Sequence, residues 1–213
     1  MLDIVIASGN LHKFRELTKL IRVSGIRWHS LKEFPRIPTV HESGRTFDAN
    51  AVKKARVIAR ATGFYALADD SGIEVAALHG APGIRSARFA GAHGDDGANN
   101  RKLLRLMEKI PARRRGARYV CSLALVSPSR VVAISHGTWY GRIALSPRGR
   151  GGFGYDPIVV IPRLGKTVAE LPKNTKRQYS HRSIAARRLL PVLRRLTHRG
   201  ITAKQYYRNT EVK

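Results

Sequence analysis

Two adjacent carboxylates, Asp69 and Asp70, stand before Ser71-Gly72 at the end of an apolar run, in a chain of 213 residues with only fourteen acids against forty Lys and Arg. Hard divalent cations take oxygen ligands, and Mg2+ typically engages one or two carboxylates together with substrate phosphates. The same residues also suit an Asx-type turn, where Asp is favoured for local hydrogen bonds; residue type alone leaves both readings open. Glu42, ahead of Ser43-Gly44, is a third candidate acid. A polar turn near the amino end, Ser8-Gly9-Asn10-Leu11-His12-Lys13, offers complementary groups. Gly9 permits close backbone approach and Asn10 supplies both a donor and an acceptor. Lys13 falls in the first turn of a helix, where the dipole disfavours a cation and a bound anion reverses that cost. An ordinary strand-to-helix turn has the same composition.

Further along, Phe153-Gly154-Tyr155-Asp156 sets two aromatics beside an acid. A planar base can stack on such a ring while the carboxylate accepts from ring N–H groups; a core aromatic pair is the alternative. Lys176, with Ser180-His181-Arg182 following, gives a donor-rich helix start, or simply a solvated basic one. Two familiar signatures fail on context. Gly149-Arg150-Gly151-Gly152-Phe153-Gly154 fits G-x-G-x-x-G, but a strand follows where a dinucleotide site needs a helix. Gly165-Lys166-Thr167 resembles the end of a P-loop, yet Val160 occupies the position of its first glycine. No H-E-x-x-H and no cysteine cluster is present, and the single Cys121 sits in an apolar stretch that suits a buried thiol.

The elements that must position these residues follow from periodicity. Leu2–Ala7 reads as a buried strand, and His12–Val23 as a helix with Phe14, Leu17, Leu20 and Ile21 on one face. Thr46 caps a second helix that Gly63 ends. Tyr65–Ala68 is a short strand delivering Asp69-Asp70-Ser71-Gly72 to a turn, and Ile73–Leu78 continues extended. Asp95–Ile110 is helical. Ala117–Val126 and Arg130–His136 form a hairpin around Pro128, Trp139–Ala144 is a further strand, and Pro157–Ile161 another. Ser180–Leu196 is a helix bent at Pro191, with arginines outside. Alternating helices and strands with a β-rich middle give an α/β chain with a mixed sheet. The domain is expected over 1–197, followed by a polar, basic tail over 198–213.

Length and 43% hydrophobic residues suit one large domain or two lobes on a shared sheet. No apolar run approaches the length of a bilayer span, and the amino end lacks the features of a signal sequence. With one cysteine, a cytoplasmic location is expected. The formal charge of +26 attracts polyanions: nucleotides, pyrophosphate or nucleic acid. Because the basic residues are spread along the chain, a general arginine bias on solvated faces explains them as well.

Taken in order, these segments resemble the inosine/xanthosine triphosphate pyrophosphatase family. The likeness rests on Ser8-Gly9-Asn10 with Lys13, Glu42-Ser43-Gly44 with Thr46-Phe47 and Asn50-Ala51, Ala68-Asp69-Asp70-Ser71-Gly72, Gly80-Ala81-Pro82-Gly83 with Ser86-Ala87-Arg88, Gly151 to Pro157, Gly165-Lys166-Thr167 with Ala169-Glu170-Leu171, and Ser180-His181-Arg182. It runs from about Leu2 to Leu196. The resemblance implies a Mg2+-dependent homodimer, two α/β lobes on an elongated mixed sheet, and a substrate cleft between them. It implies hydrolysis of aberrant purine nucleoside triphosphates such as ITP, dITP and XTP to a monophosphate and pyrophosphate. On it, Ser8, Gly9, Asn10, Leu11, His12 and Lys13 hold the triphosphate. Asp70 is the general base and a metal carboxylate, Glu42 helps place Mg2+, and Ser71 touches substrate. Phe153, Gly154, Tyr155 and Asp156 frame base and sugar, and Lys176, His181 and Arg182 complete base recognition. The sequence departs from the family at Ala49, where a Glu is usual, at His41 and at Asn174-Thr175, where acids are common. The alternative from charge and the missing acid is a nucleic-acid-binding protein on an inactive scaffold.

Overall fold

The apolar run at the amino end forms strand β1 (Leu2–Ile6), with Ile4, Val5 and Ile6 wholly buried. Asn10 then starts helix α1 (Leu11–Leu20), its side-chain oxygen accepting from the N–H groups of His12 and Lys13. Such a cap satisfies donors that the first turn of a helix leaves orphaned. Strand β2 (Ile26–Ser30) has no fully buried residue, and its half-polar sequence hid it; it lies at one edge of the sheet, where only one flank needs pairing. Helix α2 (Phe47–Thr62) is capped by Thr46, which accepts from Ala49 N–H, and ends at Gly63 in the left-handed region (φ 72°). The computed structural model describes residues 1–92 and 94–198.

Strand β3 (Tyr65–Val75) runs unbroken through Asp69-Asp70-Ser71-Gly72, where a turn is expected from sequence. Gly72 serves close approach rather than a turn: an added Cβ would sit 2.6 Å from the Gly83 carbonyl oxygen and would overlap Ser86 Oγ. That hydroxyl accepts from Ile73 N–H. Helix α3 (Asp96–Leu106) is followed by strands β4 (Gly116–Val126) and β5 (Val131–Ile143). The two strands expected over 130–144 are thus one, because Gly137 and Gly141 stay extended within it. Short strands β6 (Val159–Ile161) and β7 (Lys166–Thr167), helix α4 (Lys173–Tyr179) and helix α5 (His181–His198) complete the order. Of the strand expected over Pro157–Ile161, Pro157 and Ile158 fall instead in a 3-10 turn, Asp156–Ile158. Helix α5 continues through Pro191, and of the expected tail, residues 199–213 lie outside the described residues.

The seven strands form one mixed sheet in the order β2-β1-β3-β4-β5-β6-β7. β1 is parallel to β2 and β3; β6 is antiparallel to β5 and β7. The chain divides into two units, passing from one to the other between Asp70 and Ser71, Cys121 and Ser122, His136 and Gly137, and His181 and Arg182. Unit 1 packs alanines of α2 (Ala51, Ala55, Ala59) against Val5, Ala66, Ala68 and Ala124. Unit 2 packs Leu103 and Met107 with Ile73, Val75, Tyr119, Trp139 and Ile158. Beside that core, buried Arg115 donates to the carbonyls of Met107, Ile110, Ile143 and Ala144, closing the end of α3 onto β5. Among the described residues no helix is long and apolar enough to cross a membrane.

Candidate active site

Unit 1 gathers the acids and the amino-terminal lysine. β3 carries Asp69 and Asp70 to adjacent positions, and both are buried, at 1% and 6% exposure. Asp69 lies between two cations: Lys13 Nζ at 2.6 Å, and Arg182, whose Nε donates at 2.6 Å. Burial alone pushes a carboxyl pKa up, but Arg182 and Lys13 overcome it and hold Asp69 well below the ordinary carboxylate value. Arg182 also donates to Glu16 at 2.7 Å, so its guanidinium joins α1, β3 and α5.

Asp70 is placed differently. Its Oδ1 accepts from Lys54 Nζ at 2.7 Å, while the buried Oδ2 has no hydrogen-bond partner in the protein. Lys54 donates as well to Glu42 (2.7 Å) and to the Asp69 carbonyl (2.9 Å). Glu42 is held locally because Gly44 N–H donates to Asn50, and the buried Asn50 thereby ties the Glu42 loop to α2. Desolvation raises the Asp70 pKa, Lys54 only partly opposing it. The same neighbours raise Lys54: burial lowers its pKa, and Asp70 and Glu42 outweigh that. A carboxylate with one open oxygen and a raised proton affinity is suited to take a proton from water.

Unit 2 gathers the candidate base-reading residues. α3 grips the Gly-rich loop at both backbone groups of one residue: Asp96 accepts from Gly154 N–H (2.6 Å), and Asn100 donates to the Gly154 carbonyl (3.1 Å). Gly152 (φ 80°) lies so close to the Asp156 carboxylate that a Cβ would overlap it. Asp156 is 3% exposed, and its oxygens accept from three protein donors: Tyr119 Oη (3.0 Å), Phe153 N–H (3.0 Å) and Lys176 Nζ (2.5 Å). Lys176 also sits 4.5 Å from the Phe153 ring centroid, a cation–π geometry. The ring of His181 stacks on Tyr119, with centroids 4.8 Å apart and planes 8° apart.

Asp156 thus joins Lys176 to the loop through its own carboxylate. Tyr155 is a core residue whose hydroxyl donates to the Ser86 carbonyl, so its ring anchors the loop from within. In the turn expected to hold the triphosphate, the N–H groups of His12 and Lys13 donate to Asn10, whose own N–H donates to Ser8 Oγ. Gly9 and Leu11 are exposed in that turn, and Ser71 is half-buried at the start of unit 2. Arg182, expected with Lys176 and His181 in base recognition, donates to Asp69 and Glu16 of unit 1.

Sequence reasoning missed Lys54, Glu16 and Tyr119. For Lys54 a signal exists: it lies three and four positions from the buried Ala51 and Asn50, so a lysine stands on the inward face of α2. Tyr119 alternates with Ala117 and Cys121 on the inward face of β4. Glu16 carries no such signal.

Comparison with known proteins agrees with the sheet and the motif order. The model of the Ham1 family matches residues 4–192. The dITP/XTP pyrophosphatase of Desulforamulus reducens is 45% identical over 195 residues, covering 92% of this chain and 97% of that protein. The solved structure of a HAM1 protein from Coxiella burnetii superposes with TM-score 0.84 at 42% identity, covering 91% of this chain and 98% of the other. The Staphylococcus aureus Ham1 protein gives 0.81 at 39% identity, covering 90% and 97%. A strand-borne acid pair on a mixed α/β sheet, matched over almost its whole length, makes this chain a member of the Ham1 family.

Proposed function

We propose that this chain hydrolyses non-canonical purine nucleoside triphosphates (dITP, ITP and XTP) to the nucleoside monophosphate and pyrophosphate. The observation that carries the chemistry is Asp70: a buried carboxylate with one oxygen on Lys54 and the other without a protein donor. That oxygen accepts the proton of a water attacking the α-phosphorus. The new P–O bond forms as the bridging bond to the β-phosphate breaks, and pyrophosphate leaves. Lys13 and Lys54 stabilise the charge that develops on the phosphate oxygens. Asp69, kept ionised by Lys13 and Arg182, holds the Lys13 ammonium in place.

The donor set fits Mg2+. Asp70 offers its open oxygen and Glu42 shares Lys54 with it, in keeping with an ion that takes few carboxylates and completes its shell with water and phosphate. Among the described residues no group of three or more His, Cys, Asp or Glu could hold a metal by itself. Asp70 and Glu42 would therefore hold Mg2+ together with substrate; once bound, it supplies Lewis acidity and charge neutralisation. A homodimeric state and a cytoplasmic location belong to the same proposal and are supported by the family resemblance.

Selection of the base follows from donors. Lys176, aimed by Asp156 and Phe153, meets an acceptor such as the 6-oxo group of hypoxanthine or xanthine; the 6-amino group of adenine would face a donor. A nucleic-acid-binding role is not favoured, because the hydrolase acids and lysines are present and ordered. Pyrophosphate release measured on dITP, ITP, XTP, ATP and GTP, with and without Mg2+, tests the reading. Rejection of ATP is expected from these donors, and preference over GTP, which shares the 6-oxo group, is supported by the family resemblance; equal rates on all five would sink the selectivity.

A further inference from the structure

Tyr119 lies in unit 2 on β4, 6% exposed, with its ring packed on His181 on one side and toward Trp139 (centroids 6.3 Å apart) on the other. Its hydroxyl donates to Asp156, whose other oxygen receives Lys176 and the Phe153 N–H. One side chain thus touches both arms of the candidate base-reading group, the Asp156–Lys176 pair and the His181 imidazole.

We infer that Tyr119 is a positioning residue for purine recognition, fixing by its hydroxyl the carboxylate that aims Lys176 and by its ring face the plane of His181. This rests on the reading above that Lys176 and His181 meet the purine. The hydroxyl matters because Asp156 can rotate about its terminal torsion, which has no steep staggered wells. With one oxygen pinned by Tyr119, the other stays on the side where Phe153 N–H and Lys176 meet it. Burial, with Asp156 next in effect, pushes the Tyr119 pKa well above its ordinary value, in keeping with a hydroxyl that donates to the Asp156 carboxylate. Stacking sets the tilt of the imidazole through its ring face. The residue touches no reacting atom; it acts through Asp156 and His181.

The test separates base from phosphate. In Tyr119→Phe the ring and its stacking remain and only the hydroxyl is lost. Binding of IMP, AMP and inorganic tripolyphosphate is titrated into wild-type and variant, and kcat and KM are measured on ITP and ATP. Expected is a rise in KM for ITP of about tenfold with kcat within about twofold, the pattern of lost uniform binding. IMP affinity should fall in step while tripolyphosphate affinity is unchanged. Tyr119→Leu, which removes the stack as well, should lose more of the IMP preference. A Tyr119→Phe protein with wild-type KM and wild-type preference for IMP over AMP would overturn the inference alone. Loss of tripolyphosphate binding together with IMP binding would make Tyr119 a residue of the fold rather than of the base site, and would overturn it equally. A wild-type protein that binds IMP no better than AMP would bring down the underlying reading, and this one with it.

Discussion

The Lys54 ammonium lies 2.7 Å from one oxygen of Asp70, and that buried carboxylate keeps its second oxygen without a protein donor. A group so desolvated is normally satisfied on both sides, and this exception is what the proposed base role of Asp70 calls for. Asp70→Asn should retain the fold and lose about 10²- to 10⁴-fold in kcat, the usual worth of a general base. Steady-state pyrophosphate release, beside a thermal melt, reads both; a rate near wild-type would remove Asp70 from the base role.

Lys54→Met removes the cation that Glu42 and Asp70 share. The two carboxylates are then left facing each other without it, and kcat/KM on ITP is expected to fall at least about tenfold, within the range found on removing groups that stabilise transition-state charge. Lys53→Met is the control: its neighbour on α2 bonds only Ser43 Oγ, and should stay near wild-type.

Gly152→Ala forces a left-handed residue to carry a Cβ that overlaps the Asp156 carboxylate. Preference for ITP over ATP should collapse while tripolyphosphate still binds, since the groups for polyphosphate lie in unit 1. Unchanged discrimination would show that Asp156 does not govern the base.

His29 gives a pH-dependent contribution to stability. Its Nε2 meets Asp3 at 2.9 Å, its Nδ1 meets Glu33 at 2.8 Å, and its ring stacks on Phe64. Burial lowers its pKa, but the bonds to Asp3 and Glu33 outweigh that and raise it above 6.5. The backbone N–H of Ser30, then His29, depress Glu33 below 4.5. A raised histidine stabilises the fold fully below its unfolded pKa and loses that as pH rises through the folded one; the depressed Glu33 does the reverse on the acid side. The Tm difference between wild-type and His29→Gln should therefore be larger at about pH 5.5 than at about pH 8.5. A difference independent of pH would discard the ion pairs as its source.

Arg115 is structural. Replacing it by Met strands the carbonyls of Met107, Ile143 and Ala144, and a cost of about 3 kcal/mol is expected from lost bonds to a buried charged donor. Urea unfolding measures it, with activity per folded molecule unchanged.

Much of this was legible from residue order. The apolar run into Ser8-Gly9-Asn10 and the Thr46 cap with its Gly63 stop follow local rules, and the structure obeys them. What periodicity could not see is long-range. Ser71 and Gly72 read as a turn, yet stay in strand because Ser86 accepts from Ile73 and needs the space that Gly72 leaves. The hydrogen bonds of Tyr155 and Asp156 with Ser86, Tyr119 and Lys176 join residues distant in sequence and leave no local pattern. β2 and α4 are short and mostly polar, so their apolar patterns are too sparse to stand out.

Asp69, Asp70 and Asp156, three of only fourteen acids, are each at most 6% exposed. The solvent-facing shell is consequently even more one-sided in sign than the amino-acid counts imply. Mobile counter-ions must crowd around it, and added electrolyte will thin the attraction felt by an incoming tetra-anion at a distance. Capture should slow as electrolyte is added, whereas the pairs sealed in the interior, beyond the reach of those ions, will hardly notice.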